Sequence, residues 1–103
     1  MNIKLLHTND CHIWKKALGV LEDALKENNL PVKYEVITVK NNDEAKKYKF
    51  LGSPTILVND IDVDPTAINL RNYTLASCRA YVFKDKFYEY PPKELIISTL
   101  NEL

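Results

Sequence analysis

Glycine and cysteine are both scarce here, with two of each in 103 residues. So few glycines, beside only five prolines, exclude a collagenous or low-complexity chain. Two cysteines standing 67 positions apart exclude a disulfide-dense secreted scaffold. Neither sign of charge is in excess, since 14 Lys and Arg balance 14 Asp and Glu. That balance argues against a nucleic-acid partner, because phosphate recognition rests on clustered cations. No apolar run approaches the roughly 20 residues of a membrane span. Met1 to Asp10 holds one lysine and an apolar stretch broken by His7, Asn9 and Asp10, which does not read as a secretory signal. What remains is ordinary globular material, 46% hydrophobic and 27% charged. The expectation is one cytoplasmic domain spanning residues 1–103.

Ile3 to Leu6 is too short an apolar run for a helix and reads as a buried first strand. Thr8, Asn9 and Asp10 are good helix N-caps. After them Ile13, Trp14, Ala17, Leu18, Leu21, Ala24 and Leu25 recur at helical spacing, up to a stop at Asn28, Asn29 and Pro31. Gly19 inside this helix suggests close packing against a neighbour. Val32, Tyr34 and Val36, followed by Ile37 to Val39, predict a second strand, first half-buried and then fully buried. Asn41 to Tyr48 predicts a short helix capped by Asn42 or Asp43. Thr55 to Val58 predicts a third strand, Asn59-Asp60 a two-residue hairpin turn, and Ile61 to Val63 the return strand. Residues 64 to 78 are irregular, with room for one helical turn. Arg79 to Phe83 and Phe87 to Tyr90 look extended about a turn at Lys84 to Lys86. Pro91-Pro92 opens a last helix with Leu95, Ile96, Thr99, Leu100 and Leu103 on its buried side.

A strand, a helix and a strand imply a parallel pair with a right-handed crossover, and the later hairpin implies an antiparallel half. This order predicts an α/β domain with a central mixed four-stranded sheet flanked by helices. Two features in it carry chemistry. Cys11 falls where the first strand gives way to the first helix. Free amides of a first helical turn favour thiolate, the nucleophile of disulfide exchange. The same position also suits a half-buried cysteine packing as a small hydrophobe. Gly52-Ser53-Pro54-Thr55-Ile56 is the second feature. Its proline is either an ordinary trans turn or a cis-proline whose preceding residue turns its backbone toward a ligand.

Five pieces of the sequence, in order, resemble the thioredoxin superfamily. More closely, they resemble a small family of thioredoxin-like proteins of bacteria and archaea. The pieces are Cys11-His12-Ile13-Trp14, Gly52 to Ile56, Val58 to Pro65, Ser77-Cys78-Arg79-Ala80-Tyr81, and Pro91-Pro92. Two departures stand out. His12 replaces the proline that usually follows the first cysteine, and Trp14 stands where thioredoxin has its second cysteine. The resemblance implies a thioredoxin-like fold with a glutaredoxin-like core and a cis Ser53-Pro54 bond. It implies an exposed Cys11 beside Pro54, and a substrate ledge made by Trp14, Ser53, Pro54 and Thr55.

Without a cysteine at position 14, Cys78 is the one resolving thiol left. In this fold the hairpin 55–63 returns the chain toward the Cys11 end, so Cys78 is expected either beside Cys11 or in the core. Trp14, three residues after Cys11, either walls the thiol or packs in the core. The expected activity is thiol–disulfide exchange begun by Cys11 and resolved by Cys78 or an external thiol. Its partner is a protein or low-molecular-weight thiol or disulfide, and no cofactor or metal is called for. The alternative is a binding module without turnover, holding a peptide at the ledge or a soft metal at His7, Cys11, His12 and Cys78. Asp60, Asp62 and Asp64 alternate on the hairpin and read as edge-strand protection, and Lys46, Lys47 and Lys49 as a solvated face.

Overall fold

Alternating side chains divide the first strand between two layers. The structure, a computed structural model, describes residues 1–29, 33–67, 69–76 and 78–102. Strand β1 (Ile3–His7) pairs in parallel with β2 (Glu35–Thr38) and antiparallel with β3 (Thr55–Val58). Strand β4 (Ile61–Asp62) folds back on β3, which gives the order β2-β1-β3-β4. Ile3 and Leu5 face one layer with Ile56 and Val58, while Leu6 and Leu57 face the other.

On the first face lie α1 (Trp14–Glu27) and α3 (Lys93–Asn101). Ala17, Leu21, Ala24 and Leu25 meet Ile96 and Leu100 there, a stripe at i, i+4, i+7 and i+8. On the second face α2 (Asn42–Tyr48) brings Ala45 against Val39 and Phe50. Among the described residues the domain is therefore α/β, with three α-helices about a mixed four-stranded sheet. None of these helices is long and apolar enough to cross a membrane. Beyond β4 come a 3₁₀ turn (Pro65–Ala67) and a separate hairpin of β5 (Tyr81–Phe83) and β6 (Lys86–Tyr88).

Both predicted hairpin turns form, the second one residue shorter than expected, since Lys86 opens β6 and pairs with Phe83. Asn59 and Asp60, and likewise Lys84 and Asp85, adopt positive φ, the geometry of a tight two-residue turn. The β2 strand differs from expectation. It is the sheet edge, so its first residues are exposed and only Ile37 and Thr38 are half-buried. Gly19 also differs. It is exposed, and a Cβ there would meet nothing within 4 Å, so no neighbour packs against it. The α2 cap is Asn41, one residue earlier than expected. Its side chain accepts from the Glu44 amide at 2.8 Å, and the Glu44 carboxylate accepts from the Lys40 amide just ahead of the cap. Pro31, Val32, Ser77 and Leu103, which carried parts of the sequence reading, lie outside the described residues.

Candidate functional site

The first helix begins later than its polar residues suggest. Residues 8 to 11 instead make a turn, with the Cys11 amide donating to the Thr8 carbonyl at 3.3 Å. Ile13 is the N-cap of α1 and has no side-chain cap bond. Cys11 thus precedes the helix rather than sitting in its first turn. It is also 7% exposed, which corrects the expectation of an open thiol. Cys78, from the chain beyond the 3₁₀ turn, is exposed, and both sulfurs are free.

Both cysteines line one cleft of about 280 Å³, together with Asp10, His12, Ile13, Ser53, Arg79 and Glu89. Ser53 ties the two cysteine-bearing segments together. Its Oγ accepts from the Thr8 amide at 3.1 Å, and its own amide donates to the Ala76 carbonyl at 2.9 Å. The Ser53-Pro54 bond is cis. The backbone expected to face a ligand is therefore engaged by the chain's own segment before Cys78. Gly52 makes that approach possible. A Cβ at this residue would stand 3.1 Å from the Arg79 Cβ and 3.3 Å from the Cys78 carbonyl oxygen.

Pro54 and Thr55 are buried behind the cleft. The Pro54 carbonyl accepts from the Tyr81 hydroxyl. Thr55 Oγ1 donates to the Gly52 carbonyl and accepts from Arg79 at 3.0 Å. Trp14 is placed elsewhere. Its indole stacks on His7, with ring centroids 4.1 Å apart and planes 7° from parallel, and packs against the first core. His7 is buried, with Nδ1 against the Thr8 carbonyl and Nε2 against Thr38 Oγ1. Among the described residues no group of three or more His, Cys, Asp or Glu is placed to hold a metal.

An ionic cluster under the cleft was not anticipated. Arg79 donates to both oxygens of Asp62, at 2.8 and 2.9 Å, and lies 3.7 Å from Asp64. Asp62 and Asp64 are buried, which corrects their reading as edge protection; Asp60 alone of the three is exposed. Asp62 at the end of β4 and Asp64 just beyond it both meet Arg79, in the chain that follows Cys78. The Arg79 guanidinium also lies over the Tyr81 ring, 4.4 Å from its centroid. Burial works against the Arg79 cation, but Tyr81 and the two carboxylates outweigh it, and its pKa is held above the ordinary value. Burial pushes the Tyr81 hydroxyl far above the usual tyrosine range. The signal available in the sequence was the alternating pair Asp62 and Asp64, with an arginine beside the second cysteine.

A family model described as a domain of unknown function, DUF2703, matches residues 8–99. The chain belongs to the DUF2703 family. Searches of the curated proteins and of the solved structures found no match. The DUF2703 match takes in both cysteines, Ser53 and the Arg79 cluster, and begins just after β1.

Proposed function

We propose that this DUF2703 chain is a thioredoxin-like dithiol protein that exchanges electrons with disulfides through Cys11 and Cys78. The observation that carries the reading is that these two free cysteines, far apart in sequence, line one cleft. The order of strands and helices and the cis Ser53-Pro54 bond ahead of β3 support the thioredoxin-like assignment. Access favours the reverse of the expected order of attack. Cys78 is the exposed thiol and meets a substrate first, and Cys11 resolves from behind it.

The Cys78 thiolate attacks one sulfur of R–S–S–R′. A Cys78–S–S–R bond forms, and R′S⁻ leaves and takes up a proton. The Cys11 thiolate then attacks the Cys78 sulfur and expels RS⁻, which is protonated in turn. Two electrons pass from the protein to the substrate, and two thiols are released. An external dithiol reverses the sequence. In a reducing compartment such as the cytoplasm the pair rests as two thiols.

Oxidation of the monomer with a small disulfide tests this. The expected product has lost two hydrogens and yields a cross-linked peptide pair containing Cys11 and Cys78. Cys11→Ser should stop at a mixed disulfide on Cys78. Two thiols still free after excess oxidant would refute the reading.

The burial of Cys11 favours a second reading, a binding module without turnover. Against it, the Ser53 amide that would hold an added strand already donates to Ala76. The same oxidation separates the two, because a module forms no internal disulfide.

A further inference from the structure

The walls of the cleft say which disulfides it suits. An extended protein segment docks on a sheet-like edge through free backbone amides. The Ser53 amide is bonded to the Ala76 carbonyl, and the segment leading to Cys78 covers that edge. An anionic substrate needs an uncommitted cation. Arg79 lines the cleft, but its guanidinium is gripped by Asp62 and Thr55 and flanked by Asp64. Its charge is more than matched by the two carboxylates. Asp10 and Glu89 line the same cleft, both exposed and, among the described residues, in no ion pair. Lys40 lines a different hollow, one that shares Asp10 with this cleft. The formal charge around the sulfurs is negative, and the volume of about 280 Å³ suits a small molecule.

We infer that the substrates of this cleft are small cationic disulfides and their aminothiols, rather than protein disulfides or anionic ones. The inference rests on the dithiol reading above. An ammonium group on the substrate is attracted by Asp10 and Glu89 while its disulfide reaches Cys78. The reaction is the two-electron exchange already written: R–S–S–R and the dithiol give the Cys11–Cys78 disulfide and two RSH.

The test compares oxidation rates of the reduced protein by cystamine, a dication, bis(2-hydroxyethyl) disulfide, which is neutral, and dithiodiglycolate, a dianion. Each rate is divided by the rate of that disulfide with dithiothreitol, which cancels the acidity of the leaving thiol. Insulin serves as the protein disulfide. At low ionic strength the normalised order should be cation, neutral, anion, with cystamine ahead of the dianion by about tenfold or more. High salt should shrink that ratio toward one. The double variant Asp10→Asn, Glu89→Gln should shrink it at low salt. Equal rates, a faster dianion, faster reduction of insulin, or a ratio unmoved in the variant would overturn the substrate class and leave the dithiol reading standing. If none of the four disulfides oxidises the pair, the dithiol reading fails, and the substrate inference falls with it.

Discussion

Arg79 holds Asp62 with both terminal nitrogens of its guanidinium, 24 residues after the hairpin begins at Thr55 and directly beside the exposed Cys78. Each of these two side chains is less than a tenth exposed. The pair therefore ties the chain just after Cys78 to the end of β4.

Removing the cation leaves two buried carboxylates with only neutral donors, the Asp64 amide on Asp62 and the Thr66 amide and hydroxyl on Asp64. Arg79→Met should lower stability by about 3–5 kcal/mol, the usual cost of breaking a buried pair on one side. Arg79→Lys keeps the charge but loses the fork, so an intermediate loss is expected. Urea unfolding of both variants measures this. An Arg79→Met protein as stable as the parent would contradict the structure.

Tyr81 gives a definite sign to the alkaline limb. Its hydroxyl is raised in the folded state by burial, whereas an unfolded tyrosine ionises near pH 10. Above roughly that pH the unfolded chain loses a proton that the folded chain keeps. Stability contributed by Tyr81 is thus whole below about pH 10 and falls as pH rises beyond it. Tyr81→Phe should flatten that fall and cost about 1 kcal/mol at neutral pH for the lost bond to Pro54. Unfolding free energies measured from neutral pH up to about pH 11 compare the two slopes.

The two glycines should respond in opposite directions. Gly19 is a helical residue facing solvent with open space at its Cβ, so Gly19→Ala should stabilise by about 0.5–1 kcal/mol. Gly52 has φ +129° and backbone and side chains close by, so Gly52→Ala should cost about 1–3 kcal/mol. It should also speed alkylation of Cys78, because the segment over Gly52 must move away. Thermal melts with timed alkylation separate the two effects.

Alkylation should also rank the thiols. In the native protein iodoacetamide should label Cys78 first, and Cys11 should follow quickly only after unfolding. Peptide mapping at short times reads the order. Faster labelling of Cys11 would contradict its burial.

The sheet was legible because its signals are local. Ile3 to Leu6 and Thr55 to Val58 are short apolar runs, and Asn59-Asp60 takes positive φ readily. The stripe from Ala17 to Leu25 likewise needs only its own spacing. The edge position of β2 was not legible, since burial of a strand depends on which neighbours flank it. The start of α1 was misread because Thr8, Asn9 and Asp10 are turn formers as well as caps, and here they make the turn. The cluster of Asp62, Asp64, Arg79 and Tyr81 was hidden for a different reason. Alternating aspartates look like a solvated edge until a cation from beyond the hairpin is brought against them. The candidate site divided along the same line. Cys11, Ser53 and Cys78 meet at the cleft, while Pro54 and Thr55 lie behind it and Trp14 serves the core.

Ser53 shares one hydrogen bond with each of the segments that bring the cysteines, accepting from Thr8 and donating to Ala76. Both thiols are thus surveyed from a single benchmark rather than along the 67 positions between them. Thr8 stands three residues before Cys11 and Ala76 two before Cys78, so the link through this serine is far shorter than the intervening chain. A displacement of this one serine therefore pulls on both loops at once.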